Sequence, residues 1–486
     1  MDKSILKAIH SINEKKEVKP KACVVTFGCR QNESDSEKIK GMLELMGYEV
    51  IDEDMTRDIA GNFGKFDEKS VLGQCELIIV NTCAVREHAE LKAFSRTGQL
   101  KHYKNQNKNL LIGFCGCMVE QNHVLEYIKK SFPHVDFVFG TRRIHKFPEI
   151  LHEVLVEKKK IIKNEVGNET IDEEMPVKRD SLFSAKVSVM YGCDNFCSYC
   201  VVPYVRGHER SRQKDKILEE IKGLVGSGYK EITLLGQNVN SYKSPGGNYS
   251  FSNLLSDIIQ LEGDYWIRFV TSHPKDVPDE LIGLMGESDK IAKHFHLPVQ
   301  AGSDRILKLM NRKYTRADYL KLVEKLKKNV GGIALASDII VGFPSETEED
   351  FKDTLDIVEK AEFDGIFPFI YSKRENTPAA KMEDHTPHSE KTERFARLMQ
   401  AQNRITEKKN KAYEGKTVRV LVEGESKSRG ESPAAAGRPS MAGRTSTNKL
   451  VLFDLSEAPP GLAGSFAEVK IRLGKLHGLY GEFEKK

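Results

Sequence analysis

From residue 21 onward, short apolar runs alternate with amphipathic stretches. ACVVTFG (22–28), LIIVNT (77–82), LLIGF (110–114) and VDFVF (135–139) suit strands buried on both faces of a parallel sheet. Between the first two, Ile39, Met42, Leu43 and Met46 recur at the spacing of one helix face. The pattern predicts a Rossmann-like α/β domain over residues 21–150. FGC, NTC and CGC each sit just past the end of a predicted strand. At that edge of an open α/β sheet ligands collect, so cysteines far apart in sequence are expected to meet there.

Residues 155–182 are highly charged with few large apolar side chains and read as a linker or surface excursion. A longer alternation follows, with strands AKVSVM (185–190), EITLLG (231–236), WIRFVT (266–271), HFHLPV (294–299), IALASDIIVGF (333–343) and GIFPFIY (365–371). Helical stretches separate them; one carries Ile217, Leu218, Ile221, Leu224 and Val225 on a single face. Six βα units predict a partial (β/α)6 barrel of the TIM type, since eight units typically take about 250 residues. From about residue 415, KTVRVLVEG, KLVLFDL and FAEVKIRLG are separated by Gly, Pro and Ser, which predicts a small OB-like all-β barrel. ESPAAAGRPS (431–440) reads as a mobile loop. The expected divisions are 21–150, a linker at 151–182, a core at 183–412 and the small barrel at 413–486.

Composition narrows the class. The chain has 486 residues, 39% hydrophobic and 30% charged, enough for several cores and too patterned for disorder. A net charge of +4 excludes a polycation, though a local basic patch can still meet nucleic acid. No apolar run approaches 18 residues and the start lacks an apolar signal core, so a cytoplasmic protein with no membrane partner is expected. Nine cysteines in such a chain favour reduced thiols that hold metal or do chemistry over a disulfide framework.

The strongest motif is YGCDNFCSYC, which spaces Cys193, Cys197 and Cys200 as C-x3-C-x2-C. Zinc sites want four ligands and cubanes normally take four thiolates. Three clustered thiolates leave one iron free to bind a substrate or cofactor, and the position after the first barrel strand puts them at the catalytic mouth. A zinc knuckle completed by His208 is the bland alternative. The segment resembles the radical S-adenosylmethionine superfamily. That resemblance implies a [4Fe-4S] cluster whose open iron chelates the cofactor, and reductive cleavage to a 5′-deoxyadenosyl radical.

FGCRQNESDSE, NTCAVREHAE and CGCMVEQ together resemble the methylthiotransferase family, whose amino-terminal domain holds a second [4Fe-4S] cluster on three cysteines. Matched position by position, the resemblance implies Cys29, Cys83 and Cys117 as ligands. Cys115 lies two residues from Cys117, but the family motif sets the ligand in Gly-Cys directly before Met-Val-Glu-Gln. Cys23 and Cys75 read as apolar fillers. Further segments look like the tRNA-2-methylthio-N6-dimethylallyladenosine synthase branch: FGTRRIHKFPEIL (139–151), VVPYVRGHERSR (201–212), TSHPKD (271–276), HLPVQAGSDRILKLMNRKYTR (296–316), SDIIVGFPSETEEDF (337–351) and FIYSKRENTPAA (369–380). The chain departs from that branch in FGCRQN, in the first 20 residues and in a longer 424–443 loop.

The resemblance implies S-adenosylmethionine contacts at Gly236, Gln237, Asn238, Gln300, Asp338 and Gly342. No catalytic side chain beyond the cluster ligands is assigned. GRPSMAGRTSTNK resembles the RNA-binding TRAM barrel, and residues 411–486 hold 13 Lys and Arg against 9 Asp and Glu. Arg206 to Arg212 is a basic run suited either to phosphate or to solvent. SETEED (345–350) reads as a capped acidic helix start. The implied activity is methylthiolation of C2 of N6-isopentenyladenosine 37, with two clusters facing the base and the anticodon loop of tRNA as partner. The expected enzyme is a monomer whose electron and sulfur donors are left unassigned. Methylthiolation of threonylcarbamoyladenosine 37 or of a ribosomal protein is the same-chemistry alternative. A non-catalytic, zinc-stabilised RNA-binding protein is the alternative of another class.

Overall fold

The computed structural model describes residues 2–52, 71–85, 87–163, 170–426, 440–454 and 461–484. The chain forms two compact units. The first comprises residues 1–180, 191–195 and 200–210; the second comprises 181–190, 196–199 and 211–486.

In the first unit, β1 (Lys21–Thr26), β2 (Glu49–Val50), β3 (Leu77–Thr82), β4 (Leu111–Gly116) and β5 (Phe137–Gly140) form one parallel sheet in the order β2-β1-β3-β4-β5. Cores lie on both faces. Val25, Ile78, Val80, Ile112 and Phe114 point to one; Val24, Ile79, Phe137 and Phe139 point to the other. This alternation explains why every residue of β3 is buried. The helix Lys3–Glu14, capped by Asp2, packs Leu6 and Ile9 into the second core, so the amino-terminal segment is structural.

The helix Arg30–Leu45 is buried along nearly its whole length, polar residues included. Its sequence alone gives no reason for this. The cover comes from the charged stretch read as an excursion. Arg179 pairs with Glu37 at 2.9 Å, Lys178 N–H donates to Glu37 O, and Lys40 donates to Asp180 at 2.6 Å. A Cβ at Gly41 would lie 2.7 Å from Pro176 O, so the chain crosses the helix at the one residue without a side chain. The stretch is therefore not uniformly exposed. It begins with the end of the helix Phe147–Glu157 and finishes as a strap; residues 164–169 lie outside the described residues.

In the second unit, β6 (Ser184–Ser188), β7 (Glu231–Leu235) and β8 (Trp266–Phe269) pair in the order β8-β7-β6, all parallel. β9 (His294–His296), β10 (Ala334–Val341) and β11 (Gly365–Ile370) pair in the order β9-β10-β11, also parallel. A parallel bridge from Ile267 to Ile291 joins the two halves, and helices follow the strands as in a TIM-like partial barrel. One apolar core runs through it, from Val187 and Ile217 to Phe351 and Leu398.

The carboxyl-terminal barrel closes in the order β12-β13-β14-β16-β15, from β12 (Thr417–Glu425), β13 (Ser440–Thr445), β14 (Leu450–Asp454), β15 (Phe466–Lys475) and β16 (Gly478–Phe483). Two strands, SMAGRT and GLYGEF, were not expected from the sequence. Their glycines make them look like turns, yet a Cβ at Gly443 or Gly481 would meet a neighbouring strand's carbonyl at 2.5 Å. Ser440 opens β13; the rest of the 431–440 loop lies outside the described residues. Among the described residues, no helix is long and apolar enough to cross a membrane.

Candidate iron–sulfur and cofactor sites

Cys29, Cys83 and Cys117 are brought together at one edge of the first unit. Cys29 follows β1 and is the N-cap of the helix Arg30–Leu45, Cys83 follows β3, and Cys117 follows β4. These strands are adjacent and parallel, so their ends share an edge. Asn32 Nδ2 donates to Thr82 O at 2.7 Å, Asn81 Nδ2 donates to Asn32 O at 2.9 Å, and Cys117 N–H donates to Thr82 O. Gly28 has φ +139°, and a Cβ there would lie 2.5 Å from Cys83 Cβ; Gly116 has φ +100° and Thr82 O at 2.3 Å. Only glycine fits at either position.

The thiols are electrostatically unequal. The Cys83 thiol bonds Cys29 and, helped by Arg206 and the N–H groups of Gln31 and Asn32, holds Cys29 down at about 6 despite burial. The same bond pushes Cys83 up. Burial pushes Cys117 up to about 11, with Arg206 working against it. Cys115 belongs to the core on the opposite face of the sheet from Cys117, and burial raises it too. Cys23 and Cys75 are buried fillers, as expected.

Around YGCDNFCSYC each cysteine has its own setting. Gly207 O accepts from Cys193 N–H, and Asn195 Nδ2 lies 3.4 Å from Cys193 Sγ. Residues 196–198 are anchored by Asn311 Nδ2 to Phe196 O, by Ser198 N–H to Met310 O and by Ser198 Oγ to Leu309 O. Arg312 then reaches Cys197 Sγ at 3.3 Å from a buried position. Cys200 is half-buried. His208, the residue that would complete a zinc knuckle, bonds Asp194 at 2.6 Å at the surface.

Among the described residues, no three His, Cys, Asp or Glu side chains surround a point as ligands of a single ion. A cubane asks for something else, because each thiolate bonds its own iron and the sulfurs stand apart around the cluster. Cys29, Cys83 and Cys117 at neighbouring strand ends, with glycine where a Cβ would crowd Cys83, suit that demand. Asn195 and Arg312 put N–H donors beside the sulfurs of Cys193 and Cys197.

The implied cofactor contacts divide. Gln300 (φ +74°) joins β10 through Asp338 O and Ile340 N–H, Asp338 meets His296 at 3.1 Å, and Gly342 (φ +70°) donates to Glu346. Gln300 and Gly342 follow β9 and β10, and Asp338 lies within β10 beside them. Gly236 and Gln237 follow β7, where a Cβ on Gly236 would press on Met190 at 2.6 Å. Asn238 is committed elsewhere: its Nδ2 donates to Asp276 and its Oδ1 accepts from His273 N–H, so it holds a loop.

Two of the three arginines of the basic run are buried, while Arg210 is half-buried and His208 exposed. Arg206 is buried on Asp35 at 2.9 Å, Arg212 is buried on Glu220 and Ser188 O, and Arg210 donates to Arg206 O. In the small barrel, Lys449 is buried against Asp364, Arg444 pairs with Glu423 and Arg472 with Glu482. The acidic helix start is as expected: Thr347 and Asp350 form a capping box.

His273 was not singled out in the sequence. Its ring is buried against Tyr314, its Nδ1 accepts from Lys275 N–H, and its Nε2 has no protein partner. Burial, with Arg312 and Lys275 adding to it, pushes its pKa down to about 2. As pH falls below about 6.5, the unfolded chain gains a proton that the folded one refuses. Stability is expected to fall through this group by about 1.4 kcal/mol per pH unit. Denaturant melts at pH 7 and pH 5 check this: His273→Gln should flatten the difference, and an equal loss in both proteins would remove His273 as its source.

Sequence comparison gives these sites a context. The Radical SAM superfamily pattern matches residues 187–358, and that of the uncharacterized protein family UPF0004 matches residues 21–140. A tRNA-2-methylthio-N(6)-dimethylallyladenosine synthase of Acetivibrio thermocellus is 48% identical over 97% of this chain and 94% of its own. A protein of the same name from Clostridium tetani is 47% identical over 98% of each. Among solved structures, the radical S-adenosylmethionine methyltransferase TsrM of Kitasatospora setae, with tryptophan and a cofactor analogue bound, superposes with TM-score 0.52 at 13% identity. It covers 74% of this chain and 75% of its own, a likeness of fold alone. With near-full-length identity of this order, the chain belongs to the tRNA-2-methylthio-N6-dimethylallyladenosine synthase family, radical S-adenosylmethionine enzymes that use iron–sulfur chemistry.

Proposed function

We propose that this protein methylthiolates C2 of N6-isopentenyladenosine at position 37 of tRNA, in the cytoplasm, with two [4Fe-4S] clusters. The observation that carries the reading is near-full-length identity to relatives of that name, together with two separate three-cysteine sets. Residues 21–150 are assigned to the auxiliary cluster on Cys29, Cys83 and Cys117. Residues 183–412 are assigned to the cluster on Cys193, Cys197 and Cys200 and to S-adenosylmethionine, and residues 413–486 to RNA.

When bound, such clusters supply reductive cleavage of S-adenosylmethionine to a radical that removes the C2 hydrogen, and a sulfur source for that carbon. C2 is unactivated, so acid–base groups alone would not suffice. The chain's own task is to hold and orient. Cys29, Cys83 and Cys117 would hold the auxiliary cluster as thiolates. Cys29, whose thiol is held down, would need the least help to ionise, while the bond to Cys29 holds Cys83 up and burial holds Cys117 up. Arg312 and Asn195 direct N–H groups at the sulfurs of Cys197 and Cys193. Gln300 and Gly342 at the ends of β9 and β10, with Asp338 within β10, would face S-adenosylmethionine. The target base must leave the anticodon-loop stack to be reached.

The test incubates anaerobically reconstituted protein with reductant, sulfide, S-adenosylmethionine and isopentenyladenosine-bearing tRNA, followed by nucleoside mass spectrometry. A methylthio nucleoside is expected. Cofactor cleavage to 5′-deoxyadenosine with an unchanged nucleoside would overturn the substrate and keep the radical chemistry.

A further inference from the structure

Arg206 is an anomaly in the first unit. It ends the short helix Val202–Arg206, a segment that in sequence follows Cys200 directly. That helix seats Val201 and Val205 in the same core as Cys117, and Val205 O accepts from Thr141 Oγ1 at 2.9 Å. The guanidinium is thereby delivered into the interior, 5% exposed, where a charged group is costly unless it is paired. Its fixed partner is Asp35, 1% exposed and steadied by Gln31 Nε2 at 3.1 Å. Asn32 Oδ1 stands 3.5 Å away and also meets Cys29 Sγ at 3.3 Å.

An ion pair needed only for stability would be complete with Asp35. Arg206 reaches past that pair toward the thiols: Asn32 Oδ1, beside its guanidinium, also meets Cys29 Sγ, and the helix that carries it packs in the same core as Cys117. One arginine therefore answers to a carboxylate and to two of the three thiols assigned to the auxiliary cluster. The charges explain why. In the oxidised state three thiolates exceed the charge of a cubane core by one, and an anionic sulfur on the open iron makes the excess two. Asp35 adds another. In a buried site, local cationic charge decides whether such an anion is held.

We propose that Arg206 is a positioning residue that acts electrostatically: its charge sets the reduction potential of the auxiliary cluster and lets the open iron retain an anionic sulfur ligand, while Asp35 holds the guanidinium in place and moderates it. The inference rests on the assignment of Cys29, Cys83 and Cys117 as cluster ligands. It gives the buried part of the basic run a use that phosphate binding does not.

Charge and structure make opposite claims about the pair. If Arg206 and Asp35 only brace the fold, breaking the pair from either side has the same effect. If charge is what matters, the two substitutions act with opposite sign. The experiment uses full-length protein carrying Cys193→Ala, Cys197→Ala and Cys200→Ala, reconstituted with iron and sulfide, so that the auxiliary cluster alone is read. Potentials come from an EPR-monitored redox titration, and anion affinity from the EPR change on adding methanethiolate.

Arg206→Gln is expected to disfavour reduction at least about tenfold, about 59 mV for one electron, and to weaken methanethiolate binding by a similar factor. Asp35→Asn should move both quantities the other way, and Arg206→Lys should stay near the parent. If Arg206→Gln loses its iron, Asp35→Asn alone decides. Equal-signed shifts, or no shift from Asp35→Asn, overturn the proposal. A parent that binds no cluster removes the ligand assignment and this inference with it; a parent that binds one, with potentials unmoved by the substitutions, removes the inference alone.

Discussion

Alanine at Cys29, Cys83 or Cys117 is expected to abolish methylthiolation while leaving cleavage of S-adenosylmethionine to 5′-deoxyadenosine in place. Alanine at Cys193, Cys197 or Cys200 is expected to abolish both. The asymmetry follows from the two assignments: one set provides the radical and the other the sulfur. Loss of an outer hydrogen-bond partner at a metal site typically costs 10–100-fold, so loss of a ligand should exceed about 100-fold. Replacing Cys115, on the other face of the sheet, is expected to cost only packing, and Cys115→Ala should retain both activities. The measurements are iron and sulfide per chain, 5′-deoxyadenosine and methylthio nucleoside for each of the seven variants. A fully active Cys117→Ala beside an inactive Cys115→Ala would exchange the two in the ligand set.

Most of this organisation was legible in the chain because strands buried on both faces write long apolar runs. All six barrel strands begin within about two residues of their expected starts, as Glu231, Trp266 and His294 do. That Cys29, Cys83 and Cys117 meet was legible for another reason, since each stands just past a predicted strand of one parallel sheet. What stayed hidden depends on contacts distant in sequence. The helix Arg30–Leu45 is written in polar residues, and its burial requires Arg179, Asp180 and Arg206 to arrive from more than a hundred residues away. For the same reason the sequence did not show that two arginines of the basic run, Arg206 and Arg212, are internal cations. SMAGRT and GLYGEF escaped because close strand approach replaces apolar alternation with glycine.

Each of the two cysteine sets has an arginine beside it, but with different company. Arg206 has a carboxylate, whereas Arg312 among the described residues has none: it donates to Pro298 O at 2.8 Å, to Tyr314 Oη at 2.8 Å and to Cys197 Sγ at 3.3 Å. A buried guanidinium held only by neutral oxygen acceptors and a thiol is under-compensated, and a thiolate is the partner that completes it. Arg312 therefore sets a fixed positive charge 3.3 Å from Cys197 Sγ, where a thiolate ligand would carry negative charge. Arg312→Met is expected to lower iron retention and 5′-deoxyadenosine formation about 10–100-fold. Arg312→Lys should recover only part of this, because it keeps the charge but loses the fork that spans carbonyl and sulfur. Thermal melts of the metal-free proteins separate this role from simple packing. Without a thiolate to balance it, Arg312 contributes little to the metal-free fold, so Arg312→Met should shift that stability by no more than about 1–2 kcal/mol in either direction. A metal-free Arg312→Met that unfolds outright would assign Arg312 to the barrel's packing and leave Cys197 to hold its iron without help.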